Sequence, residues 1–272
     1  MAEKTILKWA GSKIGIMDLL RPHLPKTKRL VEPFAGSCAV MMNTNYEEYL
    51  IADVNADLIN LYKIIKYCVP DVFIGNAEPI FLVSNEKAEY YKIRNLFNKE
   101  SRFRFSNPLT LAVWFLYLNR HGYNGLCRYS KKTGFNVPFG HYKKPYFPEK
   151  EIVAFAEKAG NSALICLPWQ DTLSLVDFGD GVYCDPPYMG TSFTQYHTGS
   201  FTDADNEALA FALKDLNDTQ GNPVTVSNSL AAKELYADLG FTIHVIEAPR
   251  TIAANGNRKK APEIIAVLGG CQ

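Results

Sequence analysis

Short apolar runs alternate with stretches of helical spacing in the first and last thirds of the chain. Residues 29–32 and 48–52 read as strands, and residues 56–67 place apolar side chains at 58, 61, 62 and 65, one face of a helix. Between the two strands, the small-residue turn 33–38 leads into a helix start at 39–43. Two strands joined by a helix predict a parallel, right-handed βαβ unit. After residue 150 the alternation returns. Strands are expected at 163–167, 181–184, 224–227, 241–246 and 264–268, and helices at 152–159, 203–216 and 230–239. The middle of the chain differs. Residues 86–98 and 109–118 are helical in period, whereas 123–140 is polar, aromatic and glycine-bearing. Within it, 126–129 and 134–137, separated by Ser130 to Thr133, predict a hairpin with a basic tip. The expected architecture is α/β: one doubly wound, mostly parallel sheet built from 1–56 and 148–272, interrupted by an insertion at 57–147.

Composition narrows the class. With 272 residues, 47% hydrophobic and 21% charged, the chain is neither disordered, collagenous nor a coiled coil. The apolar run 109–118 is far shorter than the ~20 residues of a spanning helix. Residues 1–13 lack the apolar core of a signal peptide, so a cytoplasmic protein is expected. Six cysteines (38, 68, 127, 166, 184 and 271) form no Cys-x-x-Cys pair, which favours buried free thiols and no metal.

The net charge of +1 hides a strong asymmetry. Residues 87–150 hold thirteen Lys and Arg against three acids, a net +10, while the rest holds 16 basic and 25 acidic residues, a net −9. A basic middle on an acidic frame points to a polyanion partner or to a solvated basic face.

Three features carry candidate chemistry. The turn 33–38 puts backbone N–H groups at a helix start, where they can face a ligand, and Asp53 closes the next strand where ribose hydroxyls would be accepted. The N-terminal string Lys8-Trp-Ala-Gly-Ser-Lys13 lacks the glycine spacing of a P-loop. The third feature is Asp185-Pro186-Pro187-Tyr188, directly after a predicted strand, at the end where open α/β sheets bind ligands. Two prolines stiffen the backbone and remove two N–H donors, leaving carbonyls as acceptors. One carboxylate, adjacent carbonyls and an aromatic ring make a rigid cup for a flat heterocycle bearing an NH2 group.

With these strings in place, the chain resembles the Dam family of DNA adenine-N6 methyltransferases almost end to end. The matching stretches are Lys8-Trp-Ala-Gly-Ser-Lys13, Val31-Glu-Pro-Phe-Ala-Gly36, Ala52-Asp-Val-Asn55, Leu116-Tyr-Leu-Asn-Arg120, Gly122-Tyr-Asn-Gly-Leu-Cys-Arg-Tyr129, Phe135-Asn-Val-Pro-Phe-Gly140, Lys143-Lys-Pro-Tyr-Phe147, Tyr183-Cys-Asp-Pro-Pro-Tyr188 and Tyr196-His-Thr198. Their order is that of the α-group of these enzymes. The resemblance implies a Rossmann-like sheet that binds S-adenosylmethionine (SAM), with 57–147 as the DNA-recognition part. Trp9, Lys13, Phe34, Gly36, Asp53, Asp171 and Asp185 match cofactor positions. Asp185, Pro186, Pro187 and Tyr188 match the catalytic turn, with Asp185 and the Pro186 carbonyl accepting the N6 hydrogens and Tyr188 stacking on the flipped base. Arg128 matches the guanine reader in the major groove. Tyr123, Asn124 and Leu126 match residues that enter the duplex, Pro138 a further base contact, and Lys8 a flanking one. Arg94, Lys131, Lys132, Lys143 and Lys144 are expected on phosphates or in water. The implied partner is double-stranded DNA containing GATC, read by a monomer at the nucleoid, with no membrane and no obligate protein partner.

Other residues have plainer readings. Arg258, Lys259 and Lys260 fit a backbone-gripping loop or a solvated one. His197 fits an orienting or packing role, Cys184 a buried strand end rather than a nucleophile, and Trp114 and Phe115 the core. Two positions depart from the family pattern: Ser12 and Cys38 stand where glycines are usual. They leave open a GATC-binding relative with impaired SAM binding. Cys38 is expected in the first turn of the helix, where a side chain fits.

Overall fold

The computed structural model describes residues 2–83, 85–102, 107–190, 201–249 and 260–269. Its strands are β1 (Arg29–Glu32), β2 (Glu48–Ala52), β3 (Tyr129–Ser130), β4 (Gly134–Phe135), β5 (Ser162–Ile165), β6 (Gly181–Cys184), β7 (Val224–Ser229), β8 (Thr242–Ala248) and β9 (Ala261–Leu268). Its α-helices are α1 (Met17–Leu20), α2 (Ala39–Met42), α3 (Ala56–Tyr67), α4 (Pro70–Val83), α5 (Lys87–Glu100), α6 (Pro108–His121), α7 (Glu149–Lys158), α8 (Trp169–Leu173), α9 (Asp203–Gln220) and α10 (Lys233–Asp238).

Seven strands form one sheet in the order β5-β2-β1-β6-β7-β9-β8. The first five are parallel, and β9 runs antiparallel to both β7 and β8. The chain therefore builds outward from β1 through β2 to β5, then returns to lay β6 and β7 on the other side. The order reverses between β1 and β6, the place where a doubly wound sheet opens a crevice at its strand ends. The expected mostly parallel α/β sheet is what forms.

Local chemistry accounts for the helix boundaries. Asn55 caps α3 by accepting from the N–H groups of Asp57 and Leu58, and Asn107 does the same for α6 ahead of Pro108. A capping box between Thr202 and Asp205 starts α9, and left-handed Gly221 (φ 73°) ends it. Helix α4 lies in a stretch for which the sequence pattern predicts no element. Pro70 and Pro79 look like breakers there, yet Pro70 sits at the first position, where its missing N–H costs nothing, and Pro79 is carried inside the helix.

Helices α4 and α5 pack on α6, which in turn packs on α3. One apolar core runs unbroken from Leu30 and Tyr62 beside the sheet to Phe81, Phe115 and Val137 in the insertion. A second core, including Val31, Val182, Leu209 and Val226, lies on the other face. Phe115 is buried and Trp114 packs partly buried against the first core.

Two expectations need correction. The hairpin is shorter than its pattern: only Tyr129–Ser130 and Gly134–Phe135 pair as strands. The hairpin is also tied to the start of α3, where Asn55 donates to Cys127 Sγ and the hydroxyl of Tyr129, itself on β3, donates to Asp57. Cys38, moreover, is not within the helix. It precedes α2 with φ 57° and ψ 32°, in the left-handed region. There the Cys38 N–H reaches the Ala35 carbonyl at 2.8 Å and its own carbonyl accepts from the Met42 N–H at the start of α2, so the turn runs directly into the helix. Of the thiols, Cys38, Cys127 and Cys184 are buried, Cys68 is half-buried and Cys166 exposed. His197, Arg258, Lys259 and Cys271 lie outside the described residues.

Candidate active site

At the strand-order reversal a cavity of about 640 Å³ opens over the carboxyl ends of β1, β2, β5, β6 and β7. The turn after β1 forms one wall. Gly36 has φ 46°, and a Cβ there would lie 2.8 Å from Trp9 Nε1, so glycine lets the indole lie against the loop. Asp53 fixes the same loop from the end of β2, where Oδ2 accepts from the Gly36 N–H (3.1 Å) and Oδ1 from the Asn55 N–H (2.9 Å). The Tyr62 hydroxyl donates to the Gly36 carbonyl from beneath. Ser12 ties the N-terminal stretch to this turn through Ser37 Oγ at 3.1 Å. With φ −54° and ψ 130°, Ser12 needs none of glycine's freedom. Phe34 and Trp169 add aromatic walls.

The turn after β6 forms the opposite wall. Asp185 Oδ2 is 2.7 Å from Lys13 Nζ, and that ammonium also donates to the Gly11 carbonyl. Asp185 Oδ1 is buried and forms no hydrogen bond. Burial raises the Asp185 pKa to about 6, against the opposing pull of Lys13. Tyr188 donates to Glu263 Oε2 at 2.7 Å, and its ring lies 5.1 Å from Lys13 Nζ. Glu32, at the end of β1, is 2% exposed and leaves Oε1 without a partner. Burial first, then the neighbouring Asp185, push its pKa to about 8, so Glu32 is neutral at pH 7.

Residues 119–126 meet the cavity along one edge. Asn119 is buried and binds both the N–H and the carbonyl of Lys8, and it also donates to the Gly125 carbonyl. This clamp packs the turn Tyr123–Gly125 on the N-terminal stretch. A Cβ on Gly125 would lie 2.1 Å from Lys8 Cβ, which no side chain tolerates. Asn124 is left-handed (φ 54°) and exposed; Tyr123 is exposed too, and its N–H binds the Pro138 carbonyl. Leu126 lines the cavity itself. Arg128 is exposed, with Nε on Asn136 Oδ1 at 2.8 Å. Lys131, Lys132, Lys143 and Lys144 are exposed nearby in sequence, whereas Arg94 donates to the Val137 carbonyl and lies over the Tyr91 ring.

The sequence is similar to known proteins along nearly its whole length. The sequence model for D12 class N6 adenine-specific DNA methyltransferases matches residues 9–252. The retron Ec67 DNA adenine methylase of Escherichia coli is 52% identical over 269 residues, which is 97% of this chain and 91% of that protein. The DNA adenine methylase of E. coli strain K12 is 44% identical over 97% of this chain and 95% of its own length. That of Serratia marcescens is 43% identical over 97% and 98%. The chain belongs to the D12 class of N6 adenine-specific DNA methyltransferases.

In this methyltransferase the expected residues divide into two sets. Trp9, Lys13, Phe34, Gly36, Asp53 and Asp185 to Tyr188 line one cavity, joined there by Leu126, whereas Lys8 on the N-terminal stretch and Tyr123, Asn124, Arg128 and Pro138 lie outside its wall. Asp171 joins neither set: it is exposed on α8 and absent from the cavity wall, where Pro168, Trp169 and Gln170 stand instead. Sequence reasoning assigned no role to Glu32 or Glu263. Glu32 sat in the quoted Val31-Glu-Pro-Phe string, but nothing local announces its burial. Among the described residues no cluster of three or more His, Cys, Asp or Glu could hold a metal, and no helix is long and apolar enough to cross a membrane.

Proposed function

We propose that the enzyme methylates N6 of adenine in duplex GATC, with SAM as donor and the target base flipped into the Asp185–Tyr188 cup. The observation that carries this reading is the divided Asp185 carboxylate: Oδ2 is held by Lys13, while Oδ1 is buried and awaits a donor. A buried orphan acceptor costs free energy unless a ligand N–H reaches it. No hydrogen bond reaches the Pro186 carbonyl among the described residues either. Two acceptors on one rigid turn suit the two hydrogens of an exocyclic amine.

The cavity residues fit the donor. Among the described residues of the lining, Asp53, Asp185, Asp205 and Glu263 face Lys13 as the one cation, which favours a cationic ligand. Asp53 is placed for ribose hydroxyls, and Phe34 and Trp169 for an adenine ring. When bound, SAM supplies an electrophilic methyl on a sulfonium. Asp185 and the Pro186 carbonyl accept the N6 hydrogens and turn the nitrogen lone pair out of ring conjugation. With SAM bound, that lone pair would be free to attack the methyl, and the carbon–sulfur bonding electrons would leave on sulfur. Asp185 is poised to take the proton that the alkylated nitrogen sheds. Tyr188 supplies a ring face for the flipped base, its plane fixed by Glu263. Because a paired adenine cannot reach such a cup, it must leave the stack.

The exposed basic surface of 57–147, which we read as the DNA-recognition part, supports duplex DNA as partner. Arg128 is placed for a guanine edge, Tyr123 and Asn124 for entry into the duplex, and Lys143 and Lys144 for phosphates. One observation favours a relative with impaired cofactor binding: the left-handed Cys38. Its side chain, however, is fully buried in the core and absent from the cavity wall, so it does not occupy the ligand's space. Expression in cells lacking GATC methylation should protect their plasmids from a methylation-blocked nuclease. Asp185→Ala should abolish that protection while retaining duplex binding. Full protection by Asp185→Ala removes the carboxylate from the mechanism.

A further inference from the structure

The catalytic turn cannot hold itself. Pro186 and Pro187 have no N–H groups, so the backbone lacks the donors that normally tie a loop down. Side chains from two other elements do this instead. Asn206, on the first turn of α9 and 1% exposed, donates from Nδ2 to the Pro187 carbonyl at 3.2 Å. Asn228, on β7 and fully buried, donates from its own Nδ2 to Asn206 Oδ1 at 2.9 Å. Asn228 Oδ1 in turn accepts from the N–H groups of Met189 (3.0 Å) and Ser229 (2.8 Å). Ser229 Oγ donates to the Met189 carbonyl, and Asp203 accepts from the Gly190 N–H.

We infer that Asn206 and Asn228 are positioning residues that act in series to set the acceptor geometry of the Asp185–Tyr188 turn. Of two adjacent proline carbonyls, the clamp takes that of Pro187 and leaves that of Pro186 for the substrate amine. A primary amide suits the task because it donates and accepts at once, so each link orients the next. Both amides are sealed from water, which cannot replace a lost partner. The inference rests on the reading that Asp185 and Pro186 receive the N6 hydrogens. It adds that a buried pair, touching neither base nor cofactor, controls the rate of transfer.

The test compares Asn206→Ala, Asn228→Ala, the double variant and Asn206→Gln in the full chain. Gln keeps both polar groups but moves the donor by one methylene, so it guards against a variant that fails to fold. Single-turnover methyl transfer to a GATC duplex gives the rate. Quenching of the cavity residues Trp9 and Trp169 by SAM gives cofactor affinity. Asn206→Ala should slow transfer by about tenfold to a hundredfold, the loss of one buried hydrogen bond at the reacting centre. SAM and duplex affinity should stay within about threefold, less than 1 kcal/mol. Because the residues act in series, the double variant should be no more than a few-fold slower than the slower single one. Asn206→Gln should fold normally and fall between wild type and Asn206→Ala. An unchanged rate in Asn206→Gln and Asn206→Ala overturns the inference. So does a parallel loss of rate, cofactor affinity and melting temperature in both, which marks a merely structural role. Asp185→Ala is run alongside: if it still transfers methyl, the reading beneath the inference has failed, whatever the asparagine variants do.

Discussion

Lys13 Nζ lies 2.7 Å from Asp185 Oδ2, and the other carboxylate oxygen of Asp185 is buried without a partner. One charge thus favours the ionised form of a buried carboxyl while leaving half of it free. Burial raises the pKa to about 6, and Lys13 is the largest influence acting in the other direction.

The acid limb of catalysis should report this pair. Asp185 accepts the N6 hydrogens only as a carboxylate, so activity should fall as pH drops through about 6. Lys13→Gln removes the influence that lowers the pKa, and the limb should move to higher pH. The measurement is labelled-methyl transfer at saturating SAM and DNA from pH 5 to 9. A limb that stays put in Lys13→Gln detaches the pair from the pH dependence.

Glu32 makes a separate prediction about stability. Its folded pKa of about 8 exceeds the ordinary carboxylate value, so the native state holds a proton that the unfolded chain releases. The associated stability is full below about pH 4.5 and is lost as pH rises toward 8. Glu32→Gln copies the neutral acid. Melting curves of the ligand-free variant and wild type should coincide near pH 4.5 and separate with increasing pH, wild type lower. Parallel curves across the range would show that Glu32 is ionised in the fold.

Tyr188 separates ring from hydroxyl. Tyr188→Phe keeps the stacking face but frees Glu263 Oε2, so the rate should fall by no more than about tenfold, the ~1 kcal/mol of one typical hydrogen bond. Tyr188→Ala removes the face itself and should cost far more. Equal losses in the two variants would move the role of Tyr188 from its ring to its hydroxyl.

At Cys38 the usual ranking of alanine over glycine should invert. With φ 57°, Cys38→Ala keeps the left-handed strain and deletes the buried thiol, whereas Cys38→Gly deletes the thiol but relieves the strain. Gly should therefore be more stable than Ala by about 1 kcal/mol in chemical denaturation. In an ordinary first helical turn the order is the opposite.

Arg128 tests the DNA-reading edge. Its exposed guanidinium, braced on Asn136, should read one guanine, so Arg128→Ala should lose roughly 1–3 kcal/mol of discrimination at that base. Lys143→Ala should weaken all sequences alike and flatten the salt dependence. Competition between GATC and near-cognate duplexes distinguishes the two. Unchanged site preference in Arg128→Ala assigns that arginine to the backbone.

Much of this protein is written locally. Apolar period placed α3 and six of the seven main strands to within a residue or two, because that spacing is set within each element itself. The Asp185–Tyr188 string, Asp53 and Gly36 are also legible, since each sits where a strand ends and the next element begins. Helix α4 was hidden by its own prolines, and the bonds that tie the hairpin to Asn55 and Asp57 join residues 72 positions apart. Only the tertiary structure decided the ionisation of Glu32, the pairing of Lys13 with Asp185, and the bond from Tyr188 to Glu263, 75 positions away. It also decided that Asp171 faces water while Trp169 lines the cavity, and that Cys38 is left-handed. Spacing fixes which side chains an element can offer. Burial, charge pairing and the backbone angle of a turn depend on what other segments bring against it, and no local pattern records that.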